Sequence, residues 1–295
     1  MTATLDTSGK LAADTAMGPV TLLVADLDRM TAYYRDAVSL HVMSQSDNST
    51  TLGRGGTPVV ILEHAPELKH AASGSAGLFH TAILFESQSA LAAALYSVAR
   101  AQPETFTGSA DHLVSQAFYF TDPEGNGVEL YWDRDRTEWS WVHGQVEMAT
   151  LYLDPNQYLR EHLTDQGATT PDAVELGGAV VGHVHLSVGD TETARAFYVD
   201  TLGFDATASL GNQALFVSAG GYHHHMAMNV WNSRGAGPRM PALGLGRIDI
   251  ELPARDGVGE LDERLRHHKV QTRDDGRSLS FDDPWNNLIT VTAAA

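Results

Sequence analysis

GHVHLSVGDTETARAFYVDTLGF, residues 182–204, has a twin earlier in the chain: GPVTLLVADLDRMTAYYRDAVSL, residues 18–40. The two align without a gap. Gly18/Gly182, Val20/Val184, Leu22/Leu186, Val24/Val188, Asp26/Asp190, Ala32/Ala196, Tyr34/Tyr198 and Asp36/Asp200 are identical pairs. Each copy opens with apolar residues at alternate positions, the period of a half-buried strand. An Asp in helix-start position follows, and then apolar residues at three- and four-residue spacing predict a helix. Short β-rich runs come next, VVILE at 59–63 and ALFVS at 214–218. The unit reads strand–helix–strand–strand–strand.

A fainter repeat lies within each half. FHTAILF (79–85) and RIDIEL (247–252) each open with a strand, and helical segments follow at Ser89–Arg100 and Glu260–His267. Each unit closes on a related strand, DPEGNGVELY (122–131) or DPWNNLITVT (283–292). Four modules result, near residues 18–64, 78–134, 180–231 and 243–293. Residues 135–177 predict a connector with at least one short ordered piece, and NSRGAGPRMPA (232–242) a loop.

Composition narrows the function. A chain of 295 residues suggests about two domains. With 43% hydrophobic and 19% charged residues, each half can bury a core, which excludes dominant disorder. A net charge of −18 argues against binding nucleic acid through its phosphates or an anionic membrane surface. The absence of cysteine excludes disulfides, thiolate metal sites, iron–sulfur clusters and a thiol nucleophile. It fits a reducing compartment, and a cytoplasmic location is the expectation. The first seventeen residues lack a basic start followed by an apolar run, and no apolar stretch is long enough to span a membrane. The count that stands out is fourteen histidines.

The four βαβββ modules, GHVHLSVGD…AFYVDTLGF and DPEGNGVELY resemble the vicinal oxygen chelate superfamily, which includes glyoxalase I, bleomycin and fosfomycin resistance proteins and extradiol dioxygenases. FHTAIL, DHLVSQAFYF and AGGYHHHMAMNVW look most like its two-domain catechol-2,3-dioxygenase branch. The resemblance spans roughly residues 18–293 and implies an α+β fold of two half-barrel domains. These are expected at 18–134 (modules one and two) and 178–294 (modules three and four), joined by 135–177. Fold alone does not give function, because this superfamily hosts isomerases, transferases, dioxygenases and metal-free binders.

In such folds, metal ligands come from the first and last strands of a module. Module two offers His80 and Glu129 at these positions and module three offers His183. Module one has Pro19 where module three has His183, and module four has Arg247 and Thr290 where module two has His80 and Glu129. The resemblance therefore implies one metal site per chain, with modules two and three paired in space and modules one and four forming a metal-free counterpart. Two neutral imidazoles and one carboxylate on one face of Fe(II) leave positions for a catechol's two oxygens and for O2; Mn(II) is the alternative ion. Taken singly, each of these residues is more often packing than ligand; the agreement across modules carries the assignment. His185 is expected on the opposite strand face and is set aside. His223–His225 are read as strand residues, with His224 facing away from its neighbours.

By the same resemblance, His224 is the catalytic acid/base, Tyr119 a hydrogen-bond donor at the metal and His112 a substrate-holding residue. The bland readings are a buried, hydrogen-bonded Tyr and a surface His. His41, His64, His70, His143, His162, His267 and His268 are read as surface or packing residues. The implied function is an extradiol ring-cleaving dioxygenase that inserts both atoms of O2 into a catechol-type substrate. Its expected partners are a small aromatic diol, O2 and further copies of the chain in a homo-oligomer. The competing readings are a glyoxalase-like metal-dependent lyase or isomerase, whose relatives usually show four protein ligands, and a non-enzymatic binding or resistance protein, which has no need of the carboxylate.

Overall fold

The computed structural model describes residues 9–294; residues 1–8, where the leader reading begins, lie outside them. Module one comprises β1 (Ala16–Val24), α1 (Leu27–Ala32), β2 (His41–Gln45), β3 (Ser49–Arg54) and β4 (Thr57–His64). Module two comprises β5 (Gly77–Phe85), α2 (Gln88–Ala101), β6 (Phe106–Asp111), β7 (Ser115–Thr121) and β8 (Gly127–Asp133). The connector holds a small hairpin, β9 (Trp141–Val142) and β10 (Gln145–Val146), and two short helices, α3 (Pro155–His162) and α4 (Asp165–Thr169). Module three is β11 (Ala179–Ser187), α5 (Thr191–Arg195), β12 (Asp205–Leu210), β13 (Ala214–Ser218) and β14 (Met226–Asn229). Module four is β15 (Gly244–Leu252), α6 (Arg255–His267), β16 (Thr272–Asp274), β17 (Ser278–Asp282) and β18 (Leu288–Ala293). Helix α6 begins a full turn before the segment its sequence pattern marks, with Val258 joining Leu261 and Leu265 on the buried face.

The repeated Asp explains each helix start. Asp26 accepts a hydrogen bond from the Arg29 amide and Asp190 from the Thr193 amide, at 3.0 and 2.8 Å. Such a cap is worth about 1 kcal/mol. Both helices then widen into a π-helical turn, Tyr33–Ala37 and Ala196–Thr201, and each turn carries a buried tyrosine. Tyr34 donates to Asp122 and Tyr198 to Asp283, at 3.0 and 2.8 Å. Those aspartates also accept from the amides that follow them in the two DP loops. Modules adjacent in sequence are thus tied by a helix tyrosine to a loop carboxylate.

Strand pairing follows a different order. Within every module the first and last strands run parallel, as β1/β4, β5/β8, β11/β14 and β15/β18. Between modules, β1 pairs antiparallel with β15, and β5 with β11. Two eight-stranded curved sheets result. One runs β16-β17-β18-β15-β1-β4-β3-β2, from modules four and one. The other runs β12-β13-β14-β11-β5-β8-β7-β6, from modules three and two. A single pairing of Ala179 with Arg54 joins them. Arg54 is buried at this joint, where its guanidinium donates to the carbonyls of Ser39, Pro171 and Gly177 and so ties module one to the connector. Among the described residues, no helix is long and apolar enough to cross a membrane.

Candidate metal centre

The three implied ligands meet because of register. On adjacent strands, Glu129 of β8 lies beside Ala82 of β5, and Ala82 lies beside His183 of β11. The fully buried alanine in the middle is small enough for its two neighbours to reach across it. His80 stands two residues before Ala82 on the same face. Beside His80 is Gly127, where a Cβ would come within 2.1 Å of the Phe79 carbonyl and 2.9 Å of the His80 Cβ. A bulge at Gly182 completes the arrangement. The extra residue turns β11 over, so that Val181 packs on the core beside Ile83 while His183 faces Glu129. A Cβ at Gly182 would overlap the Tyr131 hydroxyl.

The resulting triad is buried. His80 is 6%, Glu129 2% and His183 2% exposed, and one donor atom from each lies within 4.8 Å of the others. Nε2 of His80 and Nε2 of His183 lie 2.9 and 3.1 Å from the same carboxylate oxygen, Oε2 of Glu129. The His183 contact is a hydrogen bond, whereas the His80 nitrogen lacks the alignment for one and is left without a partner. A buried nitrogen with no partner is costly, and a cation between the three groups would satisfy it. Burial raises the Glu129 carboxyl, but the adjacent His183 and His80 more than offset this and hold it well below the usual range. Burial pushes His183 down to about 4, against the pull of Glu129. An ionised carboxylate beside a neutral imidazole is the protonation state that metal ligation needs. The donor set fits a divalent ion.

Two further groups flank the triad. His112 Nδ1 lies 2.6 Å from the Ala149 carbonyl, so it carries the proton, and Nε2 accepts from the Tyr119 hydroxyl at 2.7 Å. Tyr119 sits opposite Glu129 on β7, and burial, with that carboxylate beside it, keeps the phenol well above its usual range.

On the other side the histidine run departs from its sequence reading. Gly220 and Gly221, with φ of +62° and +68°, break the chain, and β14 starts only at Met226. His223–His225 therefore occupy a turn, and strand alternation does not orient them. His224 nevertheless lines the cavity, its ring 4.0 Å from that of His183. Behind it His223 Nε2 meets Asp133 at 2.9 Å, and the two Nδ1 atoms of His223 and His224 lie 2.7 Å apart. With the His223 proton held on Nε2 by the carboxylate, its Nδ1 accepts from His224, which leaves Nε2 of His224 as the unprotonated nitrogen. Tyr222 also donates to Asp133, at 2.7 Å, and Tyr131 completes the chain by donating to Tyr222 at 2.8 Å. Burial drives His224 well below the ordinary imidazole value.

His185 needs a correction. Residues two apart on a strand share a face, and His185 joins His183 in the cavity wall, its ring 4.9 Å from His80 and from Phe79. Asn229 Nδ2 lies 3.0 Å from its Nε2. His143, read as a surface or packing residue, is exposed and lies at the cavity mouth.

The cavity above the triad measures about 1260 Å³. Modules two and three form its floor, and connector residues 142–150 supply one wall, apart from Gly144. The connector is anchored by Trp139 and Val146, which pack with Val114 and Tyr222 in a small core of their own.

A family model for the Glyoxalase/Bleomycin resistance protein/Dioxygenase superfamily matches residues 16–130 and 180–291. The chain belongs to this superfamily. It is 34% identical over 276 residues to a catechol-2,3-dioxygenase of Bacillus subtilis (strain 168), covering 92% of this chain and 94% of that one. Among solved structures, a putative dioxygenase from Bacillus subtilis subsp. subtilis str. 168 superposes with a TM-score of 0.63 at 13% identity, over 96% of this chain and 86% of the other. Glyoxalase I from Zea mays gives 0.56 at 15%, over 95% and 92%. At such identities the two structures speak for the fold alone.

Proposed function

We propose that the chain is an extradiol ring-cleaving dioxygenase that inserts both atoms of O2 into a catechol-type substrate, with His80, Glu129 and His183 holding Fe(II) or, alternatively, Mn(II). The observation that carries this reading is the two-imidazole, one-carboxylate set buried at the floor of a large cavity. Identity to a catechol-2,3-dioxygenase along nearly the whole chain supports it. The two imidazoles and one carboxylate would hold a divalent ion while leaving it able to take both oxygens of a diol and O2. When bound, the ion supplies Lewis acidity that makes the diol easier to deprotonate.

The remaining work falls to side chains. His224 presents an unprotonated nitrogen, backed by His223 and Asp133, and is the base that takes the substrate hydroxyl proton and later returns it. Burial, which holds His224 well below the ordinary imidazole value, keeps it neutral at physiological pH and so able to accept that proton. Tyr119, beside Glu129, becomes the hydrogen-bond donor to substrate when a substrate oxygen replaces His112 as the acceptor of its one hydroxyl proton, and His112 steadies the bound ring. Burial of the triad under the connector wall keeps bulk water from the reacting atoms.

Metal analysis after anaerobic loading with iron, followed by oxygen uptake with catechol, tests the reading. The expected result is about one ion per chain and one-to-one consumption of O2 and catechol with a ring-opened product. Metal binding with no oxygen uptake for any catechol would favour a lyase or isomerase, and catechol binding by a chain that takes up no metal would favour a binding protein.

A further inference from the structure

The charges around the cavity limit what the ring can carry beyond its two hydroxyls. Among the described residues, no lysine or arginine lines the cavity. The acids that line it are Glu129, in the triad, and Glu147, exposed on the connector. Among the lining histidines, His183 is bonded to Glu129, His112 to Tyr119 and Ala149, and His185 to Asn229, while the unpartnered His80 nitrogen belongs to the metal site and Nε2 of His224 to the substrate hydroxyl in the reading above. His143 is exposed at the mouth, on the same segment as Glu147.

Apolar side chains take the place a cation would fill. Leu113, Val142, Leu210 and Trp231 line the cavity yet are 42%, 45%, 55% and 45% exposed. Phe79 and Phe216 lie deeper. Apolar groups left open to solvent around one cavity mark a ligand site rather than a core. The cavity, at about 1260 Å³, lies above the range of roughly 300–1,000 Å³ common for ligand pockets, so it has room for far more than a bare ring.

We propose that the substrate of this site is a catechol bearing a bulky, neutral, apolar substituent, and that the site discriminates against catechols bearing a carboxylate. The inference rests on the dioxygenase reading above and adds the substrate class. A carboxylate brought to this wall would lose water and meet only neutral donors such as Gln145 and Ser209, with no cation to offset that loss. The chain's net charge of −18 also opposes the approach of an anion.

A matched pair of probes tests it: 4-propylcatechol and 3-(3,4-dihydroxyphenyl)propanoate, which differ in carrying a methyl or a carboxylate at the end of the same arm. Binding to the iron-loaded protein is measured by anaerobic calorimetry, so no turnover is needed. The propyl compound is expected to bind tighter by about tenfold or more. In Leu210→Arg and Val142→Arg, two substitutions at exposed positions, the gap should narrow through tighter binding of the propanoate. Equal affinity in the wild type, or preference for the propanoate, overturns this inference while leaving the dioxygenase reading intact. If the iron-loaded protein binds neither catechol, the reading beneath it falls as well.

Discussion

The two half-barrels share one topology and have opposite interiors. In the sheet of modules two and three, Ala82 lies between Glu129 and His183, with His80 two residues away. In the sheet of modules four and one, Asp249 takes the place of Ala82 beside Thr290, and Arg247 takes that of His80. There the carboxylate is neutralised from within: Arg247 Nε meets Asp249 Oδ1 at 2.6 Å, and Thr290 pairs with Ser280 at 3.0 Å. One barrel brings its own cation in a side chain. The other buries a carboxylate between two imidazoles, which a bound ion would satisfy. The fold itself thus has no need of metal, and the site is an addition to one half of it.

The largest expected difference between the halves is in metal content. Glu129→Ala should reduce bound iron from about one ion per chain toward none, while the matching Thr290→Ala leaves it unchanged. Far-ultraviolet circular dichroism should show both variants folded. Equal iron in the two variants would erase the contrast.

The next effect is on turnover. His224→Ala should keep iron and catechol binding but lose about 10²–10⁴ in rate, the usual cost of removing a general acid/base. Loss of the metal instead would make His224 a ligand. Normal turnover would route the proton through water or another histidine.

Acid should open the histidine-rich half first in the metal-free protein. Burial places His183 at about 4 and His225 at about 3, and pushes His185 and His224 down as well, whereas an unfolded histidine titrates at about 6.5. The unfolded chain then binds protons before the folded one does. Stability from these groups is complete above about pH 6.5 and falls as pH drops toward 4, by a few kcal/mol. Asp122 and Asp283, raised by burial, act in the opposite sense, but one lies in each half and they offset each other in the comparison. Amide-exchange protection measured at pH 5.5 and 7.5 should fall in β5, β8 and β11 more than in β1, β15 and β18. Equal losses in both sheets would show that the buried histidines do not set the acid limit.

The smallest effect is in the metal-free half. Arg247→Ala removes the partner of Asp249 at a partly exposed pair, so a loss of about 1 kcal/mol is expected in urea unfolding, with iron content and rate unchanged. A fall in iron content would mean the two interiors are coupled.

How much of this could be read from the residues follows from locality. The repeat of Gly18–Leu40 in Gly182–Phe204 exposes the modules, because strand period, Asp cap and helix spacing are local signals. His80, Glu129 and His183 emerge from the family resemblance, which says which module positions carry ligands, without any knowledge of depth. The face of His185 was legible, since a spacing of two is enough to place it with His183. The turn at His223–His225 was signalled by Gly220-Gly221, a pair that ends a strand more readily than it continues one. Two features had no local signal. The bulge at Gly182 shows itself through the Tyr131 hydroxyl on another strand, and connector residues 142–150 become a cavity wall only through tertiary packing on Val114 and Tyr222.

The central claim is that one half-barrel holds a metal and its counterpart does not. Anomalous diffraction at the iron edge, on crystals of protein loaded with Fe(II) under anaerobic conditions, tests it most directly. The account predicts one peak per chain, about 2.0–2.2 Å from the His80 and His183 Nε2 atoms and a Glu129 oxygen, and none among Pro19, Arg247 and Thr290. A peak in the second barrel, or full iron occupancy at a place that touches none of the three ligands, would contradict it.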